Sequence, residues 1–183
     1  MDSMEGGLAS FTTPMKKAFH WLNKNTQKGS KSNIVAHYDL GNDFFKLFLD
    51  PSMMYSSGIF YAENDSMQQA SINKLKRICD RLKLSDKDSV IEIGTGWGSF
   101  AIYAAQNYGC HVTTTTISDE QYDYAVEQVK AAGLSDKITL LKQDYRELTG
   151  KFDKLVSIEM IEAVGHHYFD TFFAKCNDLL KED

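Results

Sequence analysis

Residues 90–98, VIEIGTGWG, form the clearest chemical pattern in the sequence. A run typical of a buried strand leads into Gly94, Gly96 and Gly98, and a helical pattern follows. Glycines allow a tight turn and let a ligand approach the backbone, and the following helix presents its first amides at the same place. No Lys-Ser or Lys-Thr pair follows, so the loop is not a phosphate-binding P-loop. The third glycine comes two residues after the second, and this spacing disfavours a nicotinamide dinucleotide site.

Acidic residues near this loop help to identify its ligand. Glu92 lies inside the strand, where a carboxylate is costly to bury without an ammonium group or backbone amides as partners. A nicotinamide cofactor would instead require an acid at the end of the second strand, which here reads Thr-Thr-Ile-Ser. Ligands of open α/β sheets bind beyond the carboxyl ends of the strands. We therefore expect one ligand to be surrounded by Glu92, Gly94, Gly96, Thr116, Asp144 and the residues after Ile158. For Asp144 the alternative is a turn cap.

Strand and helix patterns alternate from residue 89 onwards. Apolar or β-branched runs predict strands at 89–93, 111–117, 138–143 and 154–158, and helical periodicity predicts helices at 100–108, 120–132 and 168–180. Before them, apolar spacing predicts a helix at 44–49, ended by Asp50-Pro51, and another at 67–84. This alternation is typical of βαβ units, so we predict an α/β fold with a parallel sheet covered by helices on both faces.

The composition of the 183 residues, 43% hydrophobic and 25% charged, is that of a soluble globular protein. No apolar run approaches the roughly 18–20 residues of a membrane-spanning helix. Three widely spaced cysteines without a CxxC pair predict reduced thiols in a cytosolic compartment. Residues 1–36 carry a net charge of +3 and the rest of the chain −8. This balance disfavours general nucleic-acid binding, whereas the basic leader is compatible with anionic lipid headgroups.

The basic leader contains a short amphipathic pattern. Apolar residues recur at near-helical spacing between Phe11 and Leu22, with lysines among them. Such a helix either packs on the domain or a partner, or lies on a membrane surface. We divide the chain into this basic segment and linker (1–32), a helical lid (33–84) and a sheet domain (85–183).

Four segments of the sheet domain resemble the motifs of class I S-adenosylmethionine-dependent methyltransferases: VIEIGTGWGSFA, TTTISDEQ, LLKQDYREL and DKLVSIEMIEAVG. The preceding block, HYDLGNDFFKLFLDPSMMYSSGIF, resembles the cyclopropane-fatty-acyl-phospholipid synthase family, which includes the mycolic acid cyclopropane synthases. The resemblance spans residues 33–181. It implies a Rossmann-like methyltransferase fold with an N-terminal helical lid, of which four of the usual seven strands are readable. The C-terminal strands would then be absent, and we expect a fragment whose fourth strand has an open edge.

The resemblance implies S-adenosyl-L-methionine as the cofactor. The glycine loop would hold its amino-acid part, and residues of the lid would cover it. Residues after the second and third strands would lie along the ribose and near the adenine. The cofactor-binding residues expected are Tyr55, Ser56, Glu92, Gly94, Gly96, Trp97, Thr116, Ile117, Gln121, Asp144 and Tyr145. Trp97 has a second interpretation, in which it only seals the core.

Two residues are expected to be catalytic by the same resemblance. Glu162 stands where the family has a glutamate that holds bicarbonate, the implied base, and Ser57 stands where many members have cysteine. The alternative for Glu162 is a helix N-terminal carboxylate favoured by the helix dipole. Ala163 replaces a histidine and Glu159 a small residue common in the family. These changes resemble a subgroup and its N-methyltransferase relatives, so the methyl acceptor stays open.

Two other groups of side chains have alternative interpretations. His166 and His167 have no third ligand at metal spacing, so they predict a surface turn and no metal site. The aromatic block of the lid predicts either an acyl channel or plain core: Phe44, Phe45, Phe48, Phe60 and Tyr61.

The expected function is methylene transfer to the cis double bond of unsaturated phospholipid acyl chains, forming cyclopropane fatty acids. The alternatives are methylation of a small amine, simple methylation of an acyl chain, or a non-catalytic module that binds S-adenosylmethionine or a membrane. The expected partners are a phospholipid acyl chain and a second copy in a homodimer. The expected location is cytoplasmic and peripheral, at the inner face of the membrane. We expect the chain alone to bind the cofactor weakly and to have little synthase activity.

Overall fold

The computed structural model describes residues 41–182, so the predictions for the basic leader, including its amphipathic helix, lie outside the described residues. The strands are β1 (Ser89–Ile93), β2 (His111–Thr116), β3 (Ile138–Lys142) and β4 (Lys154–Val156). The helices are α1 (Gly41–Lys46), α2 (Met67–Leu82), α3 (Ser99–Tyr108), α4 (Asp119–Ala131), α5 (Ile161–Val164) and α6 (Phe169–Leu179). Short 3₁₀ segments follow β3 and α5.

The four strands form one parallel sheet in the order β3-β2-β1-β4. In the centre, Ile91 of β1 pairs with Thr113 of β2 on one side and with Leu155 of β4 on the other. The predicted α/β architecture with a parallel sheet is confirmed. Because the strands are parallel, the loops that follow them meet at one edge, where ligands of such sheets bind.

Alternate residues of β1 pack into two cores on opposite faces of the sheet. Val90 belongs to the core formed with α2, α3 and α4. Ile91 and Ile93 belong to the other core, with Phe172 and Leu179 of α6. A strand buried on both faces is apolar at nearly every position. Glu92, the acidic residue of β1, is therefore an exception to this pattern.

The predicted end of the fourth strand was wrong by two residues. β4 ends at Val156 because the chain then turns out of the sheet. The Ser157 hydroxyl donates to the carbonyl of Ile93 over 3.0 Å, and Glu159 adopts a left-handed backbone with φ of 46°. This turn brings the residues after β4 to the ligand edge of the sheet.

Helix α1 begins earlier and ends earlier than predicted. It stops at Lys46, so Leu49 lies in the turn that follows. The buried carboxylate of Asp50 accepts hydrogen bonds from the Met54 amide at 3.3 Å and from the Ser71 hydroxyl of α2 at 3.2 Å. These bonds fix the loop between α1 and α2 in a non-helical path.

β4 is the edge strand on one side of the sheet, and a single bridge lies just before it. The Phe152 amide donates to the Leu179 carbonyl over 2.8 Å, and the Lys181 amide donates to the Phe152 carbonyl over 3.0 Å. The chain after α6 therefore passes beside the residues that precede β4. Separately, none of the helices within residues 41–182 combines the length and apolar character needed to cross a membrane.

Candidate active site

A cavity of about 850 Å³ lies at the carboxyl ends of the strands, between the sheet and the lid. A volume of this size is typical of sites for small molecules and cofactors. Of the residues predicted for the site, only Ser57 is not part of its wall. The predicted residues that line it are Tyr55, Ser56, Glu92, Gly94, Gly96, Trp97, Thr116, Ile117, Gln121, Asp144, Tyr145 and Glu162.

The glycine loop forms one wall of this cavity. Gly94 has φ of 100° and Gly96 has φ of 53°, conformations that side-chain-bearing residues rarely adopt. The amides of Gly94 and Thr95 donate to the Thr115 carbonyl at 3.1 and 3.0 Å, which holds the loop against β2. A Cβ on Gly98 would lie 3.3 Å from the Cβ of Ala125, so this glycine allows close packing on α4.

Glu92 is buried on the cavity wall, with 2% of its surface exposed. The Thr114 hydroxyl donates to its carboxyl over 2.6 Å, and the hydroxyls of Thr95 and Thr114 are 2.7 Å apart. Burial raises the pKa of the Glu92 carboxyl to about 8, and the bond from Thr114 offsets this only in part. A ligand that brought a cation or hydrogen-bond donors would stabilise the ionised form.

The end of β2 forms the next part of the wall. The Thr116 hydroxyl donates to the side-chain carbonyl of Gln121 over 2.9 Å and accepts from the Ser118 amide at 3.2 Å. Ser118 also caps α4, because its hydroxyl accepts from the Gln121 amide at 3.3 Å. The cap thus fixes Gln121 at the cavity.

Asp144 caps a turn and also lies on the cavity wall. The turn is the 3₁₀ segment Tyr145–Glu147. Arg146 donates to it from Nε at 2.8 Å and from Nη2 at 2.5 Å. Burial raises the pKa of the Asp144 carboxyl, but the bonds and charge of Arg146 outweigh burial and hold it below its usual value. Arg146, which was not predicted from the sequence, also lines the cavity.

The lid meets the glycine loop through Trp97. Its indole N–H donates to the side-chain carbonyl of Asn42 over 2.6 Å, and its ring lies 4.9 Å from the ring of Phe45. Tyr55 is 6.3 Å from the same indole in an edge-on arrangement. Trp97 is 2% exposed and also lines the cavity, so it both seals a small core and forms part of the wall.

Ser57 contacts the sheet domain through Glu159. Its amide donates to the Glu159 carboxylate at 3.0 and 3.2 Å, and its hydroxyl donates at 2.8 Å. Lys74 of α2 donates to the same carboxylate over 3.3 Å, to the Ser57 carbonyl over 2.8 Å and to the Ser56 hydroxyl. Burial raises the pKa of Glu159, but the bonds from Ser57 and the charge of Lys74 outweigh it and lower the pKa overall. Lys74 is a buried cation that was not predicted from the sequence.

Glu162 and the two histidines lie beyond the turn after β4. Glu162 is exposed in the four-residue helix α5 and lines the cavity together with Ala163. The rings of His166 and His167 are 3.8 Å apart. Within residues 41–182 there is no group of three or more His, Cys, Asp or Glu side chains that could hold a metal ion.

The aromatic block of the lid does not line the described cavity, and of its two interpretations plain core applies to Phe45. Phe45 is buried beside Trp97, whereas the other members of the block face outwards with 43–65% of their surface exposed. The apolar lid residues on the wall are instead Leu49, Met53, Met54 and Met67. Flexible side chains adapt to a ligand more easily than rigid rings.

Comparison with known proteins identifies relatives of the chain. The sequence model of the family described as mycolic acid cyclopropane synthetase matches residues 25–183. The cyclopropane-fatty-acyl-phospholipid synthase of Escherichia coli (strain K12) is 43% identical over 161 residues, which are 87% of this chain and 41% of that protein. The tuberculostearic acid methyltransferase of Mycobacterium tuberculosis is 35% identical and covers 90% of this chain and 43% of its own length.

The fold is also similar to a solved structure. The crystal structure of mycolic acid cyclopropane synthase CmaA1 complexed with SAH and CTAB matches with a TM-score of 0.80 and 31% identity, over 84% of this chain and 54% of that one. The chain spans about two-fifths of the length of the curated relatives named above.

Proposed function

Because the chain belongs to the mycolic acid cyclopropane synthetase family, we propose that it takes part in S-adenosylmethionine-dependent methylene transfer to unsaturated phospholipid acyl chains. The products would be cyclopropane fatty acids. The observation that carries the proposal is that the glycine loop, the buried Glu92 and two further glutamates line one cavity beneath an apolar lid. The name of the relative from E. coli supports this substrate class.

The cavity fits the cofactor of this family, S-adenosyl-L-methionine. A Cβ on Gly96 would meet no atom within 4 Å, so a ligand can approach the backbone there. Among residues 41–182 no cation pairs with the buried Glu92 carboxyl, and a ligand could supply one. Within the proposal, the loop and Glu92 hold the amino-acid part, and Gln121 and Asp144 border the nucleoside. When bound, the cofactor supplies an activated methyl group on a sulfonium.

The lid side chains would align the acceptor and exclude water. An alkene is a weak nucleophile, so close alignment and stabilisation of the developing cation are the main contributions a protein can make. Tyr55 and the methionines of the lid line the cavity together with Trp97 of the glycine loop. Removing water also strengthens the action of the cavity carboxylates on a developing positive charge.

Completing the reaction requires a proton acceptor. The family resemblance implies a bicarbonate ion held near Glu162 and Ser57. Glu162 borders the cavity, but the Ser57 hydroxyl and amide already donate to Glu159. Two anions sharing these donors would repel each other. Bicarbonate is therefore an alternative base. A dependence of turnover on dissolved carbon dioxide would support it.

We further propose that the protein acts in the cytoplasm, peripherally at the inner face of the membrane. The lid exposes Phe44, Leu47, Phe48, Phe60 and Tyr61, and exposed apolar groups of this kind favour contact with a membrane surface. The basic leader would add attraction to anionic lipids. Self-association as a homodimer remains a separate proposal.

The experiment uses the full-length gene product with S-adenosylmethionine and vesicles of an anionic phospholipid that carries cis-unsaturated chains. We expect lipids that gain one CH₂ unit, and fragmentation should locate a ring at the former double bond. The variant Glu127→Gln, on the exposed side of α4, serves as a control and should retain activity. Absence of methylated lipid, together with no binding of S-adenosylhomocysteine in titration, would refute the proposal.

A second candidate is simple methylation of the acyl chain without ring closure. This candidate is supported by the 35% identity of the chain to a protein named as a tuberculostearic acid methyltransferase. The same fragmentation experiment separates the two, because a branched chain and a cyclopropane ring cleave differently. A gain of CH₂ on a small amine in place of the lipid would favour the N-methyltransferase alternative.

A further inference from the structure

We propose that Glu159 is a catalytic residue whose carboxylate accepts the proton lost when the ring closes. The inference rests on the proposed function and assigns the base in that reaction to a side chain of this protein. Ring closure therefore needs no bound anion from solution. Four features of the described residues carry it: the anchoring of the carboxylate, its backbone conformation, its charge and its place in the cavity.

The two oxygens of the Glu159 carboxylate have different surroundings. Oε1 accepts from the Ser57 amide at 3.0 Å, from the Ser57 hydroxyl at 2.8 Å and from Lys74 Nζ at 3.3 Å. Within residues 41–182, Oε2 accepts from the Ser57 amide alone, at 3.2 Å. The side chain is 42% exposed and lines the cavity. One oxygen is thus anchored to the lid, and the other has lone pairs available to a substrate.

The backbone at Glu159 is held in an unfavourable conformation. Its φ of 46° costs about 1 kcal/mol or more for a residue with a side chain. Such strain persists only where the surroundings determine it, and it occurs often at functional sites. The same conformation at Lys83 has a simple explanation, because that residue caps the end of α2. At Glu159 it starts the turn that leads into α5 at the cavity.

The charge of Glu159 suits this role. Although burial opposes it, the donors from Ser57 and the charge of Lys74 lower the pKa, so the carboxylate is ionised at neutral pH. A weak base is sufficient here, because a C–H bond next to a carbocation is strongly acidic. Until the proton is lost, the same negative charge stabilises the cation.

The step is balanced within the substrate and this side chain. After the methyl group has reached one alkene carbon, positive charge lies on the other. A C–H bond of the new methyl group breaks, and its electron pair forms the third C–C bond of the ring. The proton passes to Oε2 of Glu159 and is then released to solvent. The protein returns to its starting charge state.

The alternative acceptor on the same wall is Glu162. It lies in α5, and its carboxylate makes no hydrogen bond or ion pair with another side chain of residues 41–182. An anchored carboxylate is better placed to act as a base because its geometry is fixed in advance. The Ser57 donors, which the family resemblance would assign to a bicarbonate ion, already bind the Glu159 carboxylate.

The test uses Glu159→Gln and Glu159→Gly in the full-length gene product, with Glu127→Gln as the surface control. The glutamine keeps an oxygen acceptor for Ser57 and Lys74 but cannot take the proton. We expect a fall in kcat of about 100-fold or more, with affinity for S-adenosylhomocysteine changed less than about threefold. Glycine tolerates the left-handed backbone and leaves space for a small anion. Formate or bicarbonate should therefore restore its turnover by about tenfold or more.

Three outcomes would overturn the inference. The first is a wild-type kcat in Glu159→Gln. The second is wild-type turnover that requires added bicarbonate, measured in buffer depleted of carbon dioxide. The third is a loss of cofactor affinity and thermal stability in Glu159→Gly without rescue by anions, which would identify a merely structural contact. If the wild type forms no methylated lipid at all, the proposed function fails first, and this inference fails with it.

Discussion

The Ser57 hydroxyl donates to the Glu159 carboxylate over 2.8 Å, although the two residues are 102 positions apart in the sequence. Ser57 belongs to the lid, and Glu159 follows the edge strand β4. Lys74 joins them from α2 and completes a three-residue contact. This contact connects the lid to the sheet beside the cavity. The geometry of the site therefore depends on both the lid and the sheet being folded and in contact.

Lys74→Met should loosen the lid without affecting the sheet. The substitution keeps most of the side-chain volume but removes the donor to Ser56, Ser57 and Glu159. We expect the melting temperature to fall by about 2–6 °C and the affinity for S-adenosylhomocysteine to fall by about threefold to tenfold. Differential scanning fluorimetry and calorimetric titration measure the two effects.

The matched control is Lys76→Met on the same helix. Lys76 pairs with Asp80 over 2.6 Å on the surface, where such pairs contribute little. Equal effects of the two substitutions would contradict a special role for Lys74.

Gly58→Ala should displace Ser57 from its partner. A Cβ at position 58 would lie 2.7 Å from the Cβ of Ala70, which is too close for either atom to remain in place. We expect a loss of cofactor affinity of about tenfold, because the segment that covers the site moves away from α2. Adding Ala70→Gly should restore most of the affinity, despite its own helix penalty of about 1 kcal/mol. If the double variant binds no better than Gly58→Ala, the steric explanation is wrong.

Glu92 should make the cofactor-free protein less stable as the pH rises. Its ordinary pKa is 4.5, and burial raises the pKa to about 8 in the folded state. Between these values the folded state holds a proton that the unfolded state has lost, so the free energy of unfolding decreases with pH. The contribution is at most about 1.4 kcal/mol per pH unit and is complete above pH 8.

Glu92→Gln removes this dependence. In urea unfolding between pH 5 and 8, we expect the stability of the variant relative to wild type to increase steadily. A constant difference across this range would show that Glu92 titrates normally.

Binding of the cofactor should remove the proton from the Glu92 carboxyl. A ligand that donates hydrogen bonds to the carboxylate prefers its ionised form, so affinity should rise with pH up to about 8 and then level off. The rise is limited to about tenfold per pH unit for a single proton. Titration of S-adenosylhomocysteine at pH 6, 7, 8 and 9 tests this expectation. The Glu92→Gln variant separates the effect from titration of the ligand itself, and an identical pH profile in that variant would contradict it.

Much of the sheet was predictable because its signals are local. The apolar run at 89–93 and the repeated threonines at 111–116 form strands within one residue of their predicted limits. The helices α3, α4 and α6 begin and end within one residue of the predicted ranges. The end of β4 was not predictable, because the turn after Val156 depends on a bond from Ser157 to β1.

The site was predictable where it follows directly from a strand. Gly94 and Asp144 follow β1 and β3, Thr116 ends β2, and parallel pairing is enough to bring them to one edge. Arg146 was missed because its contact with Asp144 depends on the 3₁₀ turn that Asp144 caps. The sequence left two interpretations of the aromatic block open, because periodicity does not reveal which face of a short helix is covered.

The sequence by itself determined the alternating architecture, the glycine loop and the family, because each depends on patterns among residues that are close together in the chain. Only the tertiary structure decided how Lys74, Ser57 and Glu159 meet. No local pattern connects a lysine on the lid helix to a glutamate beyond the last strand of the sheet. Their contact results from packing the lid across the sheet edge, where a buried cation and a carboxylate must satisfy each other.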